Sequence, residues 1–151
     1  MVIHKMKRTE NDSCPTIDSA IIIGYSVGLK LITGDGAQSL SNMAGSYAGK
    51  ELGIYAMNEG YEFKDIKDVE EFLKQLKFAD IEITEENDEI VANISKCNVC
   101  PKRICGYEFE RTACPWGGLL IGFIGETLKY KLGSQMDLKP AEVCIIRLKL
   151  K

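Results

Sequence analysis

"ADIEITEENDEIVANIS" (residues 79–95) is where the periodicity of the chain changes. Ile81 and Ile83 alternate with charged residues, "EEND" breaks the run, and Ile90, Ala92 and Ile94 alternate again. Period two puts one set of side chains on one face of a strand. Two such runs around a polar turn predict a β-hairpin with one buried face. The segment just before it follows a different rule. In "DIKDVEEFLKQLKF" (65–78), Ile66, Val69, Phe72, Leu73 and Leu76 recur at helical spacing opposite Lys and Glu. That is an amphipathic helix whose stripe belongs in a core.

Further upstream, "GDGAQSLSNMAGSYAGKELGIYAMNEG" (34–60) predicts a second helix, with Asp35 as its cap and Gly60 as its stop. Ala37, Ser41, Ala44 or Gly45, Ala48 and Leu52 share a face made mostly of small residues. Such a face lets another backbone come close, at a cost in helix propensity for Gly45, Gly49 and Gly53. "TIDSAIIIGYSVGLKLI" (16–32) mixes strand-like isoleucines with helical spacing, and helix is the better reading. Residues 1–15 read as a flexible N-terminal segment, with His4 an exposed tail residue.

Downstream, "PWGGLLIGFIGETLKYKLG" (115–133) predicts a helix that starts at Pro115 and stops at Gly133. Leu120, Phe123, Ile124 and Leu128 form an apolar face, and Gly118, Gly122 and Gly125 a second, small one. "AEVCIIRLKLK" (141–151) alternates imperfectly through Val143, Ile145, Leu148 and Leu150 and reads as a final strand. Helices, a hairpin, a helix and a returning strand give an α+β fold: a single domain over 16–151, with helices packed on an antiparallel sheet.

Between the hairpin and the glycine-rich helix lies "CNVCPKRICGYEFERTAC" (97–114), which holds four of the six cysteines. Cys97-x2-Cys100 can present two sulfurs to one ion from a single turn. Cys105 and Cys114 can complete a tetrahedron if the chain loops back. Zinc takes four thiolates in closed, structural sites. An iron–sulfur cluster uses the same ligands and is the alternative, although the spacing matches neither common ferredoxin pattern. Lys102, Arg103 and Arg111 would partly offset the charge of a tetrathiolate centre. Cys144 is an alternative fourth ligand, and Cys14 a poorer one. No histidine lies in the segment, and a closed shell leaves no open coordination position, so the ion is expected to be structural rather than catalytic.

The 151 residues carry a net charge of −3, which offers no general attraction to nucleic-acid phosphates. The "CPKRIC" basic pair is the only support for a zinc-ribbon-like interaction module. The uncharged runs Ser19–Leu29 and Thr112–Gly125 fall short of the roughly 20 residues of a membrane span. No signal peptide is visible, so a cytoplasmic protein is expected, in which clustered cysteines favour metal over disulfides. No phosphate-binding loop, nucleophile elbow or HExxH signature is present. The apolar "AIIIGYSVG" segment makes a homodimer an expectation as well.

Taken together, the "AGSYAGKELG" helix, the cysteine opening "CPWGGLLIGFIGETLKYKLG" and the late Cys144 resemble the 4-vinyl reductase domain. That family is one of predicted hydrocarbon- or small-molecule-binding proteins of archaea and bacteria. Its fold is related to transport protein particle subunits and to haem-based nitric-oxide sensors. The resemblance implies an α/β fold with an apolar cavity, a metal held by cysteines, and binding or sensing of a small hydrophobic ligand. Cys114 and Cys144 match positions where the family places cysteines. The family's further cysteine just before the last one has no counterpart in "MDLKPAEVC". Tyr47, Tyr55, Trp116 and Phe123 would wall the cavity, flanked by the faces at Ala44, Gly45, Ala48 and Gly49 and at Gly118, Gly122 and Gly125. Alternatively, those faces pack directly on each other. The reductase name does not carry over, since no residue argues for a hydride or electron donor.

Overall fold

The computed structural model describes residues 16–105, 113–139 and 142–151, without the side chain of Cys105. The predicted N-terminal segment 1–15, with His4 and Cys14, lies outside the described residues, as does Arg111. Among the described residues, five α-helices and four strands follow in the order α1 (Ile17–Thr33), α2 (Ala37–Asn58), α3 (Ile66–Gln75), β1 (Asp80–Glu86), β2 (Glu89–Ser95), α4 (Pro101–Cys105), α5 (Trp116–Thr127), β3 (Leu132–Asp137) and β4 (Cys144–Leu150), with a 3-10 turn at Gly34–Gly36 between α1 and α2. The sheet order is β1-β2-β4-β3, and every neighbouring pair is antiparallel. The α+β class with helices on an antiparallel sheet is therefore the observed one.

The hairpin turns at Asn87 and Asp88, both with positive φ (50° and 63°). That backbone matches the twist of a two-residue hairpin, and Asn and Asp tolerate it well. Ile81, Ile83, Ile90, Ala92 and Ile94 are buried, as the alternation requires. β4 continues the same face, with Ile90 opposite Leu148, Ala92 opposite Ile146 and Ile94 opposite Cys144. The buried residues of β4 are thus Ile146 and Leu148, whereas Val143 is exposed. This corrects the expected register: with Ile145 and Ile146 adjacent, pairing with β2 decides which one faces the core. Gly133 also differs from expectation. α5 ends at Thr127, Lys129 turns the chain with φ 62°, and Gly133 sits within β3 opposite Lys149.

α3 covers the sheet through Val69, Phe72 and Leu73. Asp65 caps it by accepting from the backbone N–H of Lys67 (2.8 Å) and Asp68 (3.2 Å). Glu70, bonded to Lys74, also accepts from the N–H of Ile83 at 2.9 Å, so part of the exposed edge of β1 is capped by the helix. Phe72 and Phe123 stack at 5.3 Å, and Phe63 meets both edge-on. Phe123 is fully buried at the junction of helices and sheet.

α2 and α5 meet backbone to backbone. A methyl group on Gly45 would overlap the Pro115 carbonyl oxygen, and one on Gly49 the Leu119 carbonyl oxygen. From the other side, Gly118 meets the carbonyl of Asn42 and Gly122 that of Ser46. The small faces therefore pack directly on each other. The buried ridge of α2 is Ala37, Ser41, Gly45, Gly49, Gly53 and Ala56, while Ala44 and Ala48 are exposed. Gly125 lies off the contact, its nearest neighbour being the Tyr130 carbonyl. Asp35 does not cap α2: it belongs to the short 3-10 turn Gly34–Gly36, and the capping position is Gly36.

α1 is helical, capped by the Thr16 hydroxyl accepting from the N–H of Ser19. The helical run Ile17–Asn58 contains a window apolar enough to cross a membrane by length and composition, of which 17% is buried. Gly34 interrupts that run, with φ 55° and ψ −121°.

Candidate metal centre

β2 ends at Ser95, and Lys96 turns the chain at φ 47° into Cys97. Asn98 ties this turn to the end of the helical layer. Its N–H donates to the Phe78 carbonyl (2.7 Å) and its side-chain amide to the Lys77 carbonyl (3.1 Å). The Cys100 N–H donates to the Cys97 carbonyl (3.4 Å), so the CxxC forms one tight turn, and Pro101 then opens α4. Arg103 reaches back to the Cys97 carbonyl (3.3 Å) and to Asn98 Oδ1 (2.9 Å) rather than to a sulfur. Lys102 is exposed.

Cys114 arrives from the opposite side, immediately before α5. Its backbone is clamped by Gln38 of α2: the Cys114 N–H donates to Oε1 (3.0 Å) and its carbonyl accepts from Nε2 (2.7 Å). Gln38 is in turn oriented by Asn42 Oδ1 (3.0 Å). Cys144 opens β4, facing the same way as Ile94. These three separate segments bring Cys97, Cys100, Cys114 and Cys144 to the wall of one apolar cavity of about 40 Å³, which Ile94 and Trp116 also line. None of the four is bridged to another cysteine. Cys105 is the last residue of α4, and the position of its sulfur lies outside the described residues.

Trp116 Nε1 donates to Cys97 Sγ at 3.2 Å. Backbone N–H groups also favour the ionised sulfurs: those of Val99 at Cys97, Trp116 at Cys114 and Lys139 at Cys144. Burial opposes them. It pushes the Cys114 thiol up to about 12, and Cys97, Cys144 and Cys100 nearby push it the same way. Burial likewise raises Cys97 and Cys144. Some of the Cys114 residue is exposed, but its sulfur is enclosed. A dication reverses this balance, because it replaces the thiol proton and its attraction for the thiolates, strong where water is excluded, outweighs the cost of desolvating them. Among the described residues no three His, Cys, Asp or Glu side chains stand close enough to hold an ion as they are, so binding would draw the sulfurs inward.

The remaining expected residues do not converge. Tyr47 and Tyr55 are exposed on α2, Phe123 is in the core, and only Trp116 reaches the cysteine cavity. That cavity is far below the several hundred Å³ of a small-molecule site. The two larger hollows, about 550 and 490 Å³, are open grooves lined by charged side chains such as Lys74 and Arg147.

The MJ0207 family profile matches residues 17–150. The chain belongs to the MJ0207 family. It is 79% identical over 151 residues, the full length of both chains, to the protein MJ0207 of Methanocaldococcus jannaschii. Neither name states an activity or a ligand. Membership in this family overturns the resemblance to the 4-vinyl reductase domain. Its motifs were glycines at helical spacing, a cysteine at a helix start and a late cysteine, Cys144. The first is a general device for close helix packing, and this chain uses it between α2 and α5. Two features of the site were not foreseen: the Gln38 clamp and the Trp116 indole on sulfur. The only sequence signal for them is polar groups, Gln38 and Trp116, beside otherwise small or apolar helix positions.

Proposed function

We propose that Cys97, Cys100, Cys114 and Cys144 bind a single zinc ion, and that this centre fixes the sheet to the start of α5. The observation that carries the reading is convergence: four cysteines from three distant segments line one cavity of about 40 Å³. Buried cysteines that serve only as small hydrophobes have no need to share a cavity or to receive N–H donors. Zinc with four sulfurs at about 2.3 Å needs little space beyond its own ligands, whereas an iron–sulfur cluster brings several irons and sulfides. Four thiolates close the shell, so the role is structural.

The test is elemental analysis of full-length protein purified anaerobically, followed by cobalt exchange. One zinc per chain, and the intense visible bands of tetrahedral cobalt–thiolate after exchange, are expected. Loss of those bands in Cys144→Ser would support Cys144 as the fourth ligand. Bands retained in Cys144→Ser but lost in Cys105→Ser would assign Cys105 instead. Iron with acid-labile sulfide would replace zinc by a cluster. Metal-free protein with unchanged stability would overturn the reading.

A further inference from the structure

One packing device joins α2 to α5, and its glycine spacing recurs on α1. Gly45 and Gly49 on α2, and Gly118 and Gly122 on α5, are spaced four apart, and each meets a backbone carbonyl. Gly24 and Gly28 on α1 have the same spacing, yet a methyl group on either would find no atom within 4 Å. The surrounding face is apolar and open: Ile17 is 76% exposed, Ile21 52%, Tyr25 78%, Leu31 57% and Ile32 85%. The opposite face, with Ile23, Ser26 and Val27, is already buried.

We propose that this face of α1 docks on the same face of a second copy of the chain. The five large residues expose roughly 700 Å² in all, above the ~300–600 Å² of the largest patch on a typical monomer and enough to supply most of the ~800 Å² that each partner of a standard interface contributes. The face holds no charged residue. Asp18 flanks it, and Lys30 is folded onto the Gly34 carbonyl at 3.3 Å. An acidic or basic partner therefore finds nothing complementary, whereas an uncharged face with a glycine pair near its centre complements itself. A two-fold, antiparallel pair centred near Gly24 sets Ala20, Gly24 and Gly28 of one copy along Gly28, Gly24 and Ala20 of the other, so that the backbones approach as α2 and α5 do. A lipid occupant fits less well. Gly34 interrupts the helical run after the seventeen residues of α1, which reach about 25 Å against the ~30 Å of a hydrocarbon core, and the one lysine of α1 is drawn to the Gly34 carbonyl rather than outward.

Sedimentation equilibrium of the full chain at roughly 100 µM, a hundredfold above a micromolar dissociation constant, is expected to give a dimer of the 16.8 kDa chain. Gly24→Leu with Gly28→Leu should weaken association at least about a hundredfold. Circular dichroism should be unchanged, because the positions are open and leucine is the better helix former. Ile21→Glu should do the same. Wild-type protein that is monomeric at this concentration overturns the proposal, and flotation of that monomer with phosphatidylcholine vesicles would assign the face to lipid. A Leu/Leu variant as dimeric as wild type overturns it as well.

Discussion

The two ends of α5 are held by different physics. Along its length the helix rests on α2 through glycines, and the fit is complete without any ligand: Gly118 and Gly122 interlock with Gly45 and Gly49 until only backbone separates the helices. At its N-terminus the same helix begins beside four thiols around a small apolar space, held by Gln38 and by a single indole N–H. Shape finishes one end. The other is chemically unfinished, since burial makes its thiolates costly until a cation joins them. A metal would therefore add stability not throughout the core but at this junction, where packing alone leaves polarisable, ionisable atoms enclosed.

The sharpest way to break this contrast is at the complete end. Gly122→Val should cost more than about 4 kcal/mol, because the new atoms overlap the Ser46 carbonyl and no side chain can move aside. Urea denaturation would show it, or failure to fold. Cys97→Ser should cost about 3 kcal/mol or more in metal-loaded protein and much less after chelation, a difference that thermal melts of both forms would read. A variant equally destabilised in both forms would mean that the sulfur serves packing alone.

Gln38→Ala removes both bonds to the Cys114 backbone and should cost about 1–3 kcal/mol with or without metal, since the clamp belongs to the fold rather than to the ion. Trp116→Phe keeps the ring but loses the N–H on Cys97. It should cost about 1 kcal/mol and weaken metal affinity roughly tenfold. The smallest effect is in pH. In metal-free protein the Cys114 thiol titrates higher when folded than its ordinary 9.0, so the folded chain holds a proton that the unfolded chain releases. That contribution is intact below pH 9.0 and lost as pH rises towards about 12, so chelated protein should melt progressively lower over this range. Cys114→Ser should flatten the trend.

Local patterns carried much of this architecture. The strict alternation of Ile81, Ile83, Ile90, Ala92 and Ile94 allowed one reading, and the stripe of α3 another. β3 was hidden because "LGSQMD" has no alternating apolar residues: as an edge strand it exists through its pairing with β4. The register of β4 was hidden for a related reason, since two adjacent isoleucines satisfy either face until a neighbour chooses. Small residues on α2 and α5 were visible, but whether they bordered a cavity or touched was a property of the pair, not of either helix. At the cysteine site, spacing pointed to a shared centre. Only the antiparallel return of β4, which sets Cys144 opposite Ile94, brings that distant thiol to the same wall.

The thiols at the start of α5 are proposed to hold a metal. Metal content of full-length protein purified under anaerobic conditions tests it most directly. One zinc per chain, released in step with modification of four cysteines, is the predicted result. A folded protein with no metal, whose melting temperature is unmoved by added zinc or by chelator, would contradict it.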